Sequence, residues 1–492
     1  MKQFLLLLLA FPLHSYSQKK FDFNSNCQSA YNDIIHLKLT TGQSLIDKEK
    51  KSNPENLIPY FLENYIDFFI LFFNEDPAEY KTRKDNEERR IQLMKEGPAG
   101  SPYYLFTRSI IYFQWAAVHI KFSNYWLSAW DFHRSYMLGN HAEAEFPAFT
   151  PAKMLDGSMQ VAAGTIPGGY KWLSNLLGIH GSIREGMKEL EDFINQTDPD
   201  ATLFHNEAIF YFLYLKFYIQ NEREGVFSFI QRQQLDTRNN LLFAYLATNL
   251  AINSQQAALA EKIISEKNNS PEYFTSVVWD LEMGYAKMDH LDPEGAAYLQ
   301  KFIEEFKGRF YVKDALQKLS WFYFLNGEMG KANEYRQLIL KKGSLDTEAD
   351  KQAYNEAKSG KWPNPLLLKA RMLNDGGYFM EALQLLDGKS SSDFNLPEEK
   401  VEFAYRLGRI YDDLGRKDEA LAAYLTTIKI GQQRKEYYAA RAALQIGYIY
   451  EKKMEKQTAI SYFQKVLDLK DHEYKNALDQ KAKAGIARCK NE

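Results

Sequence analysis

Cysteine is nearly missing from this 492-residue chain, which has only Cys27 and Cys489. Two thiols cannot build a disulfide-stapled scaffold, and they fall short of most zinc and iron–sulfur ligand sets. They sit near opposite ends of the sequence. In an elongated fold they cannot come within the ~6 Å between Cα atoms that a bridge needs, so no intramolecular disulfide is expected. Charge of one sign is also lacking. Lys and Arg number 61 against 64 Asp and Glu, a net charge of −3, which argues against a protein whose main task is to hold bulk nucleic acid. Catalytic signatures are missing too. There is no Gly-x-Ser-x-Gly elbow, no His-Glu-x-x-His pair, and neither cysteine neighbours a histidine. Gly388-Lys389-Ser390 is not a phosphate loop, because Leu383 stands where a glycine is required and a helix rather than a strand precedes it. His133 and His141, with Glu143 and Glu145 nearby, lack the spacing of a ligand pair on one helix face. No catalytic residue, cofactor or metal is therefore expected, and carboxylate pairs such as Asp412-Asp413 read as solvated helix faces.

Hydrophobic residues make up 45% and charged residues 25%, the balance of a folded chain. Aromatic content stands out, with 33 Phe, 32 Tyr and 7 Trp. The N-terminus has the layout of a cleavable export signal. Met1-Lys2-Gln3 is a short positive start, Phe4 to Phe11 is an apolar run, and Ser15 and Ser17 occupy the small-residue positions before Gln18. The run is too short to span a bilayer, where about 20 residues are needed. A lipid anchor would require a cysteine directly after it, and Cys27 lies too far on. The protein is expected to be exported, to the periplasm or outer membrane of a Gram-negative bacterium. No transmembrane span is expected after cleavage, which leaves peripheral membrane association open.

From Asn26 onward apolar residues recur with the 3.6-residue period of helices, with no sustained strand-type alternation. Breaks such as Ser52-Asn53-Pro54, Glu96-Gly97-Pro98, Asn269-Ser270-Pro271 and Asp292-Pro293 separate helices of ordinary length. Asn56 to Phe73, Tyr103 to Phe122 and Glu207 to Gln220 are strongly apolar. Asp67 and Arg108 interrupt the first two, so helices buried on both sides are expected there rather than membrane contact. Trp115, Tyr125, Trp126, Trp130, Phe132 and Tyr136 crowd one region. Packing between helices is the expected use of such side chains, with stacking on sugars or peptides as the functional alternative.

A repeat emerges at the C-terminal end. Leu407-Gly408-x-x-Tyr411 is followed by Gly415, Ala420 and Tyr424, and Ile446-Gly447-x-x-Tyr450 by Ala459 and Phe463. Leu373, Gly377, Phe379, Ala382 and Leu386 form an earlier copy, as do Leu319, Tyr323, Gly327, Ala332 and Ile339, with a weaker one at Met283-Gly284 and Ala296. Gly408 and Gly447 let one helix approach its partner, the alanines do the same from the other side, and Gly327, Gly377 and Gly415 suit turns needing positive φ. This pattern resembles the tetratricopeptide repeat from about Tyr273 to Lys490. It departs in having Ala404 and Ala443 at the usual tryptophan position, Gln432 and Asp471 at the unit-end proline, and units longer than the usual ~34 residues. The implied fold is all-α, a solenoid of stacked helix-turn-helix pairs. A second stretch, Gly164 to Met187, resembles the central motif of a eukaryotic tetratricopeptide family linked to inclusion-body clearance at mitochondrial membranes, with Ile179 and His180 departing from the usual turn. It implies shared architecture more than shared activity.

The expected organisation is a signal peptide over 1–17, an aromatic-rich helical region over 18–270 and a repeat region over 271–492. In the repeat family, positions two, five, nine and twelve of the first helix face a concave groove. Here they are Asn364, Leu367, Arg371 and Asn374, then Glu402, Tyr405, Arg409 and Asp412, then Arg441, Leu444, Tyr448 and Glu451. Arg371, Asn374, Tyr405, Arg409 and Tyr448 are the candidate peptide-binding residues. Arg371 and Arg409 repeat at one position, so two guanidinium groups there suit a carboxylate. The competing expectation pairs Arg371 with Asp375 and Arg409 with Asp413, four residues on. The function read from this is a non-enzymatic scaffold or adaptor for a protein or peptide partner, without nucleic acid. A glycan-binding envelope receptor and an enzyme with an unrecognised helical active site are the alternatives. If the chain is exported as expected, protein recovered from the producing cell has Gln18 as its first residue by intact mass. A chain retaining Met1 contradicts it.

Overall fold

The computed structural model describes residues 18–165 and 177–490. The expected signal peptide and residues 166–176 of the central motif lie outside them. The described residues are helical throughout, with one isolated bridge between Lys20 and Asn56. None of their helices is long and apolar enough to cross a membrane. The chain divides into two compact units. The N-terminal unit comprises Met1–Leu246, Lys267–Ser276 and Phe306–Gly308, and the C-terminal unit comprises Ala247–Glu266, Val277–Glu305 and Arg309–Glu492. Both cysteines are free and buried, and burial pushes the Cys27 thiol up to about 12.

In the N-terminal unit the apolar helix Ile58–Asn74 is indeed a core element. Phe61, Leu62, Tyr65, Phe69, Leu71 and Phe73 are buried. Asp67, which breaks its apolar run, is itself buried and is held by Arg90 at 2.6 Å, Arg83 at 2.5 Å and the Asn86 amide at 2.8 Å. A charge buried this deeply persists only when paired and hydrogen-bonded. Glu207 shows the same economy with neutral partners: the hydroxyls of Tyr31, Tyr65 and Tyr211 donate to it at 2.5, 3.0 and 2.7 Å. Several tyrosines of this aromatic-rich half are thus present for the hydroxyl as well as the ring. Glycines set the helix spacing near the central motif. A Cβ on Gly186 would meet the Gly157 carbonyl at 2.4 Å, so helices Pro151–Gly164 and Ile183–Ile194 touch backbone to backbone.

The C-terminal unit is an α-solenoid of helix pairs: Val278–Asp289 with Glu294–Glu305, Val312–Leu325 with Met329–Lys341, Pro365–Gly376 with Phe379–Leu386, Pro397–Asp413 with Lys417–Gly431, and Tyr438–Lys452 with Lys456–Asp468, closed by Lys475–Lys490. Ala332, Ala382, Ala420 and Ala459 are fully buried. A Cβ on Gly408 would meet the Tyr424 ring at 2.5 Å, and one on Gly447 the Phe463 ring at 2.5 Å. The expected division of labour between a small residue on one helix and a large one on its partner is therefore realised. Gly377 closes a turn at φ 92°, where only glycine is free of strain. One element was not anticipated. An extra helix, Glu348–Ser359, follows the second pair and lengthens that unit. Its Asp350 accepts from the backbone N–H groups of Tyr311, Lys313 and Asp314 at 2.8, 2.9 and 3.2 Å, satisfying donors at the start of helix Val312–Leu325.

Two outcomes follow from this packing. Gly447→Ala drives a methyl into a fully buried ring and costs about 1–3 kcal/mol, whereas Gly330→Ala, which meets nothing within 4 Å, is neutral or mildly stabilising; urea denaturation of the two variants compares them. Glu49 supplies the second. Burial opposes its charge, yet the amides of Asn26, Asn24, Asn56 and Asn53 hold its pKa near 2, below the ordinary 4.5. A carboxyl depressed on folding stabilises above its unfolded pKa and loses that contribution as pH falls through the folded value. Glu49→Gln therefore lowers the protection of helix Leu39–Ser52 against hydrogen exchange at pH 7 by roughly 2–3 kcal/mol, and the deficit shrinks towards pH 2.

Candidate functional site

The candidate site is built on successive first helices of the C-terminal unit. On Val312–Leu325, Lys318 binds Asp289 at 2.8 Å, and Trp321 Nε1 donates to Glu356 of the extra helix at 2.7 Å. On Pro365–Gly376, the Arg371 guanidinium lies over the Trp321 ring, 4.9 Å from its centroid. Pro397–Asp413 supplies Glu402, Tyr405, Arg406 and Arg409. The next helix and its approach supply Tyr437, Tyr438, Arg441 and Tyr448, and Arg488 closes the series with paired bonds to Glu451 at 2.7 and 2.9 Å. These groups feel one another across several repeats. Burial opposes the charge on Asp375, yet Arg371, Arg406, Arg409 and Lys318 hold its pKa below the ordinary value.

Tyr405 is the clearest reporter of this field. Burial alone would push its phenol up, yet Arg441, Arg409 and Arg406 bring it below the ordinary tyrosine value. Its ring sits 5.4 Å from that of Tyr438 and 6.4 Å from that of Tyr437, and Tyr437 stands 5.4 Å from Tyr474. Arg406 lies over both Tyr405 and Tyr438, and Arg441 lies 5.7 Å from the Tyr437 centroid. The result is a set of tyrosine rings interleaved with guanidinium groups.

The five expected binding residues divide by what they touch. Arg409 is committed to Asp413 at 3.2 Å. Asn374 is buried, and its side-chain amide donates to the same Asp413 at 3.0 Å while Gln255 donates to its backbone carbonyl at 2.9 Å, so it ties neighbouring helices together. Tyr405 is 1% exposed and acts on the face through its neighbours. Tyr448 is half-buried, 5.9 Å from the Arg488 guanidinium. Arg371 alone of the five keeps donors open. It approaches Asp375 through Nε at a long 3.5 Å, with 28% of its side chain exposed, and no bond to its terminal nitrogens is found among the described residues.

Of the other mapped positions, Leu367 and Leu444 are core, Asn364 caps its helix by accepting from Leu366 and Leu367, and Asp412 pairs with Lys417. Arg441 has no carboxylate partner among the described residues. Sequence reasoning missed Arg406, Tyr437, Tyr438 and Trp321. Arg406 is one residue past an inward position, and Tyr437 and Tyr438 stand at the N-cap and first residue of their helix, ahead of its first inward position, where repeat register gives no guide. Of the aromatic cluster in the N-terminal unit, Trp115 and Tyr136 are buried as expected of packing, whereas Trp126 is 88% and Trp130 51% exposed.

The family model described as tetratricopeptide repeat matches residues 401–430 and 440–472, so the chain carries tetratricopeptide repeats, and repeats of this kind typically bind protein partners and are generally not catalytic. No curated protein matches the chain. Among solved structures, the crystal structure of the P58(IPK) TPR domain is similar at 12% identity over 88% of this chain and 97% of that one, with a TM-score of 0.22. The crystal structure of the APC/C hetero-tetramer Cut9-Hcn1 is similar at 11% identity over 93% and 95%, with a TM-score of 0.24. At these scores neither likeness bears on the argument.

The field at Tyr405 has a direct readout. Alkaline titration followed by phenolate absorbance should show one fewer tyrosine ionising below pH ~10 in Tyr405→Phe than in the parent chain, and Arg441→Gln should move that tyrosine upward. A Tyr405→Phe titration superimposable on the parent's contradicts the electrostatic description.

Proposed function

We propose that this chain, a tetratricopeptide-repeat protein, is an exported, non-enzymatic scaffold that holds acidic protein segments on the arginine- and tyrosine-lined face of its C-terminal unit. The observation that carries this reading is the pair of uncommitted guanidinium groups in an otherwise paired array. Arg406, Arg409 and Lys318 each have a carboxylate within hydrogen-bonding distance. Among the described residues, Arg371 has only the long carboxylate contact to Asp375 beside its stacking on Trp321, and Arg441 has no carboxylate partner. Guanidinium groups present a rigid fork that matches a carboxylate, and flanking aromatic rings supply contact area at low entropic cost. Tyr437 joins the two: it lies under Arg441 and within electrostatic reach of Arg371. The N-terminal signal-like segment supports an address in the envelope of a Gram-negative bacterium, with peripheral association to a membrane allowed.

A labelled Asp/Glu-rich peptide with a free C-terminal carboxylate tests the reading by fluorescence anisotropy. Arg371→Gln/Arg441→Gln should weaken its binding at least ~10-fold, about 1.4 kcal/mol, while a Gln/Asn-rich control peptide binds neither form. Equal binding of the acidic peptide by both forms, or none by the parent chain, rejects the assignment.

A second reading has one observation in its favour. Tyr125, Trp126 and Trp130 on helix Tyr125–Glu145 are 50%, 88% and 51% exposed, and exposed rings of this kind stack on sugars. A glycan array probed with the parent chain and with Trp126→Ala separates the readings: a glycan signal lost in the variant favours the second, and an empty array removes it.

A further inference from the structure

We propose that Glu87, His119 and Asp131 form a binding site for a divalent first-row cation, zinc by ligand type and spacing, that staples three helices of the N-terminal unit. The residues come from helices Asn86–Lys95, Pro102–Lys121 and Tyr125–Glu145. His119 Nε2 lies 3.3 Å from Glu87 Oε2 and 3.3 Å from Asp131 Oδ2, and the three ligand atoms fall within 4.8 Å of one another. Ligand atoms bound to zinc at ~2.0–2.1 Å in a tetrahedron stand about 3.3–3.4 Å apart, so the two separations from His119 Nε2 are those of two of its edges.

Hydrogen counting gives the independent argument. Nε2 of His119 can donate one hydrogen, and its hydrogen-bond partner is Glu87. Asp131 is 2% exposed, and its Oδ2, aimed at the same nitrogen, has no hydrogen-bond partner. Arg134 approaches only the other oxygen, at 3.5 Å. A buried carboxylate oxygen without a donor is costly. One N–H shared at 3.3 Å between two carboxylates is at best a long three-centre bond, whereas one cation serves all three groups.

The surroundings are those of a metal-ligating histidine. Nδ1 of His119 lies 3.2 Å from the Tyr80 hydroxyl, and Asn124 Nδ2 donates to that hydroxyl at 2.9 Å. Tyr80 thereby fixes the imidazole's orientation and can accept the Nδ1 hydrogen, leaving Nε2 for the cation. With three protein ligands, the fourth position falls to water, on the side where Glu87 keeps 15% of its side chain exposed. Such a cation crosslinks helices and requires no chemistry of the chain. A second cluster, Glu143, Asp156 and Glu189, differs: it is all carboxylate, Gln160 donates into it, and it has no orphaned buried oxygen.

The test uses the untagged chain, stripped with chelator and titrated with zinc chloride against a chromophoric competitor. One zinc per chain is expected. Asp131→Asn should lose it, and Tyr80→Phe, a positioning variant, should weaken it ~10–100-fold. Cobalt should give the visible absorption of a four-coordinate site in the parent chain and not in Asp131→Asn. Circular dichroism checks that each variant is folded, and the part-exposed Glu87→Gln provides a second ligand variant should Asp131→Asn fail. Failure of the parent chain to bind zinc, or undiminished binding in the folded ligand variants, overturns the proposal and leaves a protonated His119 between its two acids.

Discussion

A missing side chain governs the C-terminal unit. No helix pair can bury its apolar face alone, so pairs must stack, and stacking at close range requires that one helix present no Cβ where the other presents a ring. Gly408 against Tyr424 and Gly447 against Phe463 meet that requirement, each leaving no space for even one methyl. The buried alanines answer from the second helix. Once those contacts set the spacing, the opposite edge of each first helix is fixed as well. Arg371, Arg406, Arg409 and Arg441 therefore face shared neighbours from helices far apart in sequence.

That shared face is charged in a particular way. Most of its ions are matched, and a surface pair of this kind contributes little to stability. Its significance lies in the mismatch. At buried Tyr405 the guanidinium groups of Arg441, Arg409 and Arg406 outweigh burial, the arrangement of an excess of positive charge. The N-terminal unit handles charge differently. Asp67, Glu49 and Glu207 are buried carboxylates, each surrounded by enough donors to remain inside a hydrophobic core. Donor supply runs short at Asp131, where a cation would complete the set.

Much of the architecture was legible because it is local. Helical period, turn glycines and the Gly/Ala/aromatic register occupy fixed offsets within one repeat, and the structure realises them at Gly377, Gly408, Ala420 and Gly447. The extra helix Glu348–Ser359 has no repeat register and was not seen. Position mapping put Arg371, Asn374 and Tyr405 on one groove, but Asn374 and Tyr405 are buried by partners on other helices while Arg371 keeps 28% of its side chain exposed. Whether an arginine is engaged depends on which acid lies across the next repeat, and that is not written at any fixed spacing. The Glu87–His119–Asp131 group was invisible for the same reason: its members come from three helices, and the His133–His141 spacing that drew attention instead carries no ligand geometry.

The central claim is that the arginine-tyrosine face receives a protein segment. Site-specific photo-cross-linking in the producing cell tests it most directly, with a photoreactive residue placed at Tyr474, which joins the tyrosine cluster on that face, or at Leu425 on a second helix, which is 48% exposed. The account predicts a discrete cross-linked protein from position 474 that disappears in Arg371→Gln/Arg441→Gln, and none from position 425. A cross-link from 425 alone, or one from 474 indifferent to both arginines, would contradict it.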